Sequence, residues 1–542
     1  MISNFIKTIM EEDLKSGKHQ EIITRFPPEP NAYLHIGHAR AIVTNFELAK
    51  CFNGKTILRF DDTNPAKEEK RFIDAIINDI KWLGYEPYKI TYGSDYFDDD
   101  YNFACNLIKE GLAYVDDLTK DEMKEYRGTL DTPGKNSPYR DRSVEENLKL
   151  FEEMKDGKYA EGEKTLRLKI DMASSNLNMR DPAIYRIIKK PHPHTGDKWN
   201  IYPLYDYAHP LQDAIEYITH SLCSLEYVEH RPLYDWVIEH TKPRSIPRQI
   251  EFGRLNIEGT ILSKRYLKEL VDSKLVDDYD DPRMPTLVGL KRRGFTKESI
   301  KEFVLSTGLS RINSEIPLNV LDHFLMDDLK LKVVRRMAVL DPLKITITNY
   351  DKEKVEYFDF PNNLENPELG DRKITFSNSL YIEKEDFVEV KPNNKYKRLS
   401  LGAEVRLMGA YFIKANEVIK DENGEIVEVL CTYDEKTLSG TGFNERKPQG
   451  TIQYVDQKTC KKAQFNLFEN LLKDEYNEDD ALIDKFNPNS KKVVYGYVEN
   501  AYSGESEFKS QLMRNGYYSN DYDSTEENII INRTVSLKQS FK

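Results

Sequence analysis

Residues Arg25–Arg40 read RFPPEPNAYLHIGHAR. Pro27, Pro28 and Pro30 stiffen a loop, and His35 and His38 follow it three apart. Upstream, QEIITRF is a β-type run with Ile22, Ile23 and Phe26. From Leu34 the pattern turns helical: Ile36, Ala39, Ile42, Val43, Phe46 and Leu48 recur at three-to-four spacing up to Phe52. The quoted stretch is therefore a turn from a strand into a helix. A helix mouth after a parallel strand offers unbonded N–H groups and the positive end of the helix dipole, a natural phosphate site.

Working outward, GKTILRFDDTNP is a second strand and KEEKRFIDAIINDIKWLGY a second helix ended by Gly84; YKITYGSDY is a third strand. Such alternation predicts a parallel sheet with helical crossovers. It dilutes over 96–204, which reads as an insertion, and returns at YPLYDYAHPLQDAIEYITHSLC. Residues 264–332 are helix-rich and basic. From about 340 the texture is β, with a second β block from about 447 to 530 and an acidic, helix-like ENLLKDEYNEDDALIDKF inside it. Long β regions after an α/β half suggest a separate recognition module.

At 542 residues the chain needs several cores. Its 39% hydrophobic and 32% charged content argues against wholesale disorder. No apolar run reaches the roughly 18 residues that cross a bilayer, and the acidic N-terminus lacks a signal-peptide core. Five scattered cysteines without C-x-x-C suit reduced thiols, a cytoplasmic setting and no structural zinc. The net charge of −13 is a blunt argument against a nucleic-acid partner, because KRYLK, LKRRGF, KVVRR and NNKYKRL concentrate positive charge locally.

Neither a G-x-G-x-x-G after the first strand nor a P-loop occurs, so a phosphate at this turn has to be met another way. His35 and His38 share one helix face, with Gly37 leaving space between them. The pair is compatible with phosphate binding, with plain helix capping, or with a metal, although no third ligand follows at a plausible spacing. Downstream, LNIEGTILSKRYLK sets Ser263, Lys264 and Arg265 in a loop before a helix. A mobile cation there would stabilise charge developing on a phosphate.

HIGH near the start, with a KMSKS-like loop in the second half, resembles the class I aminoacyl-tRNA synthetases. RFDDTNPAKE, EYRGTL, GKNSPYRDRSVEENL, YPLYDYAHPLQDAIEYITHSLC, LYDW, DDPRMPTLVGLKRRG, KYKRLSLGAEVRL and NRTVSL narrow the resemblance to the glutaminyl branch at bacterial length, from about residue 4 to 538. The resemblance implies a multidomain α/β plus β architecture: a Rossmann-like catalytic domain (1–95 and 205–255) split by an acceptor-end-binding insertion (96–204). It further implies an SKR loop and helical subdomain (256–332), a proximal anticodon-binding β-barrel (333–446), a distal one (447–529), and a C-terminal strand (530–542) returning to the proximal barrel.

The implied reaction joins glutamine to the 2′-hydroxyl of the terminal adenosine of tRNA through a glutaminyl-adenylate, using ATP with Mg2+ as its counter-ion and no protein metal site. His35, His38 and Lys264 are the implied catalytic groups. Glu29, Pro30, Asn31, Ile36, Gly37, Ala39, Arg40, Ala41, Ser224, Leu262 and Ser263 would surround ATP, and Arg254 and Leu255 would hold adenine through main-chain groups. Ile261 and Leu262 stand where the family loop usually has lysine and methionine. Arg25, Asp61, Tyr205, Gln249 and Cys223 match the glutamine pocket. Cys223 replaces the arginine typical of the glutamyl branch, and a neutral thiol leaves a γ-carboxylate unpaired. Leu130 matches the apolar wedge that splits the first acceptor base pair. Glu229 stands for the usual acceptor-stem aspartate, and Arg335, Lys397 and Arg398 are anticodon candidates; Met408 replaces an expected arginine. The family makes a monomer the expected state. The competing readings are a glutamyl or relaxed-specificity enzyme and a tRNA-binding protein without catalysis.

Overall fold

The computed structural model describes residues 4–66, 69–393, 395–473, 475–477 and 479–537. Lys67 and Glu68 of the RFDDTNPAKE motif and the last five residues of the expected C-terminal strand lie outside them. The chain forms two compact units, 1–258 with 301–316, and 259–300 with 317–542. The segment expected to be one helical subdomain is thus divided between them.

The first unit is built on parallel strands: β1 (Ile23–Phe26), β2 (Lys55–Phe60) and β3 (Lys89–Tyr92) in order β1-β2-β3. All four residues of β1 are buried, as expected of a strand covered on both faces. Helix α1 (Phe5–Lys15) precedes the sheet; α2 (Ile36–Cys51) and α3 (Lys70–Trp82) make the crossovers. The insertion is a four-stranded antiparallel sheet, β4 (Ala113–Asp116), β5 (Thr165–Leu168), β6 (Ala183–Ile187) and β7 (Ile201–Pro203), in sequence order. It packs on α4 (Phe97–Lys109) through Phe97, Leu107, Phe151, Tyr185 and Trp199. After α5 (Tyr205–Ile215), the parallel pair β8 (His220–Ser224) and β9 (Arg248–Phe252) follows. Thr219 N–H donates to Ile23 C=O at 2.9 Å and seats β8 beside β1. The HIGH turn thus leaves the central strand, with β2 on one side and β8 on the other.

Helix α1 is latched by charge. Asp13 accepts from His220 Nε2 at 3.1 Å and from Arg248 at 3.2 Å. Burial alone would raise the Asp13 pKa, but Lys18 and Arg248 outweigh it and hold the carboxylate below its usual range. Burial drives His220 down to about 4, so it is neutral.

The second unit holds two seven-stranded sheets, and the strand partition corrects the expected boundaries. The proximal sheet runs from Pro342–Ile347 to Val455–Asp456, past the expected limit at 446. The distal sheet borrows Val334–Arg336 and Ala338–Val339 from before the proximal one. The C-terminal strand Ile529–Ser536 pairs with Lys461–Phe468 and Gly516–Asn520, so it lies inside the distal sheet and does not return to the proximal one. Period-two patterning marks a strand's faces but carries no partner information. Between the sheets Arg372 pairs with Glu499, Tyr381 stacks on Tyr497 at 4.5 Å, and Arg514 grips Asp386 at 2.7 and 2.9 Å.

Of the acidic stretch expected to be helical, Leu482–Lys485 is the one helical piece among the described residues. Leu471, Leu472, Leu482 and Phe486 are drawn instead into an apolar cluster with Leu267, Leu270 and Ile261. Burial there accounts for an isoleucine where the family loop usually has lysine. Met408 packs against the proximal core.

Candidate active site

His35 is the N-cap of α2. Its Nδ1 accepts Gly37 N–H at 3.1 Å, and His38 Nδ1 accepts His35 N–H at 3.1 Å. The two rings lie 3.8 Å apart between centroids. A ring nitrogen that accepts carries no proton, so in each neutral imidazole the proton sits on Nε2. Two Nε2–H donors therefore stand at a helix N-terminus, where the dipole already favours an anion. Capping and phosphate recognition were alternatives in the sequence; capping uses the Nδ1 atom of each ring, so it does not compete for Nε2.

The neighbours divide. Ile36 and Ala39 are core side chains. Arg40, expected at ATP, is buried and turned away: it donates to Gly308 C=O at 2.8 Å and to Ser314 Oγ at 3.1 Å. Arg254 was expected to hold adenine through its main chain. Its N–H donates to Asn313 Oδ1 at 2.8 Å and its C=O accepts Ser314 N–H at 2.9 Å, while Leu255 pairs in a short parallel ladder with Ser314. The Arg254 groups are thus spent on structure. Ser224 Oγ donates to Glu226 at 2.7 Å.

A cavity of about 240 Å3 opens against Glu29, Pro30, Asn31, Asp61, Thr63, Asn64, Arg186, Leu204 and Tyr205. Asp61 follows the end of β2 and accepts from Thr63 Oγ1 at 2.9 Å. The turn that its sequence suggests is made by this carboxylate. Burial lifts its pKa to about 6, helped by Glu29 and Asp62 and opposed by the Thr63 bonds. Tyr205 heads α5, and its hydroxyl is paired with His209 Nδ1. Sequence reasoning missed Arg186. It comes from β6 in the insertion, and its charge faces Asp61 and Glu29. Its one local signal was the RI pair closing a strand; only the fold carries it across more than a hundred residues to Asp61.

Beneath this cavity lies a buried charge network. Arg25, expected to touch glutamine, is 0% exposed and lines neither this cavity nor the smaller one beside it. Its Nε donates to Asp213 at 3.1 Å, Nη1 to Leu222 C=O at 2.7 Å, and Nη2 to Ser221 Oγ at 2.7 Å. Arg59 adds a second cation, 2.6 Å from Asp213. Burial opposes the charge on Asp213, but Arg25, His209 and Arg59 hold its carboxyl well below the usual range. Arg25 is thus a brace. Cys223 is 7% exposed with Sγ 3.5 Å from Arg25 Nη2, and burial pushes its thiol up, so it stays neutral. Gln249 Nε2 donates to Glu251 at 3.0 Å and to Tyr227 C=O at 3.2 Å.

The other expected residues lie elsewhere. Ser263 caps the helix Lys264–Asp272 of the second unit, with Lys264 exposed at its first position and Leu262 half-buried before it. Leu130 stands 75% exposed on a tight loop, which excludes ordinary core packing. Glu229 is exposed. In the second unit Arg335 donates to Glu365 at 2.5 Å, Arg398 to Glu385 C=O at 2.9 Å, and Lys397 is exposed. Among the described residues Asp13, His19 and His220 are the one group with metal-ligand spacing. Arg248 and Lys18 already neutralise its carboxylate.

Residues 21–331 match the family model for the catalytic domain of tRNA synthetases class I (E and Q). The chain belongs to that family. Residues 333–434 and 451–521 match two models for the anti-codon binding domain of the same class I synthetases. Its relatives include a "Glutamine--tRNA ligase" of Clostridium perfringens, 55% identical over all of this chain and 98% of that one. Another of the same description, from Clostridioides difficile, is 52% identical with the same coverage. As a class I synthetase of this group the chain has an anticodon-binding half to explain its β sheets. No helix among the described residues is long and apolar enough to cross a membrane.

Proposed function

We propose that the chain is a glutamine–tRNA ligase. The observation that carries the reading is the paired Nε2–H donors at the α2 mouth in the same unit as a cavity bearing Asp61 and Tyr205, in a chain of this family. Glutamine and Mg–ATP react first: a carboxylate oxygen of glutamine attacks the α-phosphorus, and pyrophosphate leaves. His35 and His38 donate to phosphate oxygens, and Lys264 offsets charge that grows in the transition state. Asp61 pairs with the substrate ammonium, and Tyr205 orients the side-chain amide, with Gln249 behind it. The 2′-hydroxyl of the terminal adenosine then attacks the acyl carbon, and AMP leaves. Positioning supplies most of the rate, because the protein forms no bond itself.

Selection of glutamine over glutamate follows from charge. Arg25 has its cation neutralised by Asp213, the Arg186 charge is already faced by Asp61 and Glu29, and Cys223 is uncharged, so a γ-carboxylate would meet no unmatched cation and would enter at a desolvation cost. Leu130 and Glu229 meet the acceptor end, and Arg335, Lys397 and Arg398 the anticodon, where unstacked bases are read most readily.

The deciding measurement is charging of total tRNA with glutamine and with glutamate in parallel. A higher kcat/KM for glutamine is expected. A higher value for glutamate would overturn the assignment in favour of the glutamyl activity, and no charging with either would leave a tRNA-binding protein.

A further inference from the structure

Between β5 and β6 the chain makes an excursion through the short turn Leu177–Met179. It carries Arg180, 3% exposed. Arg180 Nη1 donates to three carbonyls of a single loop: Arg127 at 2.8 Å, Thr129 at 2.8 Å and Thr132 at 2.9 Å. Its Nε donates to Ser174 C=O at 2.6 Å. The gripped loop is the one that lifts Leu130 into solvent. The same excursion reaches a second target. Asn176 Nδ2 donates to Glu229 C=O at 2.7 Å, and Asn178 Nδ2 to the same oxygen at 3.1 Å. One short segment therefore ties down the main chain at two points far apart in sequence, and these are the points that carry the wedge and the acceptor-stem carboxylate.

An apolar side chain at the tip of an exposed loop has no packing of its own to hold it. Its position depends on the main chain beneath. The loop's internal bonds are few and local: Thr129 N–H donates to Thr132 C=O at 3.1 Å, and the two threonine hydroxyls lie 2.9 Å apart. Gly128 has φ 73°, and a Cβ there would stand 2.6 Å from Thr132 C=O, so the loop admits no side chain at its entry. A guanidinium is suited to gathering several acceptors, because its donors are fixed in a plane; an ammonium is a compact point charge. Loss of Arg180 would remove the side chain that holds the Arg127, Thr129 and Thr132 carbonyls together.

We propose that Arg180, with Asn176 and Asn178, is a positioning bracket that presents Leu130 and Glu229 together to one RNA acceptor end. The proposal rests on the reading of Leu130 as the wedge, and its test separates the two. Full-length Arg180→Lys and Leu130→Ala proteins are compared on two transcripts of the same tRNA, one with its first acceptor pair intact and one with that pair mismatched. On the paired transcript each variant should lose about tenfold in kcat/KM; on the mismatched one the loss should shrink below about threefold, because the strands are already open. Relief for Leu130→Ala with an undiminished loss for Arg180→Lys would overturn the bracket and leave Arg180 a stability element. No relief for Leu130→Ala would overturn the wedge reading itself, and the bracket with it. Should Arg180→Lys melt below the assay temperature, Gly128→Ala, which distorts the same loop and keeps the buried cation, is read by the same comparison. Asn176→Ala combined with Asn178→Ala should weaken discrimination among acceptor-stem sequences and leave the paired-to-mismatched ratio unchanged. Unaltered discrimination would remove the Glu229 arm of the proposal.

Discussion

Asp61, the proposed partner of the substrate ammonium, carries its charge against the preference of its own site. A carboxyl with a folded pKa of about 6 is held ionised at neutral pH against the preference of its site. In the proposed reaction the substrate ammonium adds to the Arg186 charge that already faces this carboxylate. The ionised form binds, so KM for glutamine should rise as pH falls below about 6, by about tenfold per unit, while KM for ATP stays flat. The measurement is KM for both substrates from pH 5 to 8; parallel changes in the two would remove Asp61 from the ammonium site. His35 and His38 were legible as a pair on one helix face, open to phosphate binding, capping or a metal, but the proton positions were not. These follow from which nitrogen each ring turns to a main-chain N–H, and that is a matter of three-dimensional arrangement. Arg25 and Arg40 mark the opposite case. Both sit inside the motif, and a motif reports position along the chain, not which way a side chain turns.

Among elements, α1 depends on buried neutral histidine. An unfolded histidine takes up its proton near pH 6.5. Folded His220 does so only near 4. Between those values unfolding binds a proton, so stability is fully present above about 6.5 and falls as pH drops through that window. Asp13 adds the same direction lower down, since its depressed folded pKa means its contribution is lost in acid. Replacing His220 with Gln should flatten the fall of Tm between pH 7 and 5, a window in which the native histidine costs on the order of 2 kcal/mol. An unchanged pH profile would show that His220 is protonated in the fold. The helices α2 and α3 and the three leading strands were readable from period alone. The acidic 469–486 stretch was not, because its leucines and Phe486 answer to Ile261 and Leu267, residues two hundred positions away.

At the level of the whole molecule, the net charge of −13 and the proposed RNA partner stand in tension. Binding follows local positive charge, since cations at phosphates release counterions. Affinity for tRNA should therefore fall with added KCl, with a log–log slope steeper than about −3. A flat response in a filter-binding or fluorescence titration would contradict a basic RNA track. The two β blocks were visible as blocks, and their assignment to anticodon-binding modules agrees with the family models. Their partition was not visible. Strands 334–339 and 529–536 both join the distal sheet, although they flank the whole β half.

The order of strands and helices around the HIGH turn and the family were determined by the sequence alone, because they depend on residue type and short-range spacing. Which cations line the cavity and which are consumed as braces, which strand joins which sheet, the proton positions on His35 and His38, and how Arg180 and Arg186 reach loops far from them were decided by tertiary structure. Hydrogen bonds and ion pairs are satisfied by whatever the fold brings within about 3 Å, and separation along the chain does not encode that distance.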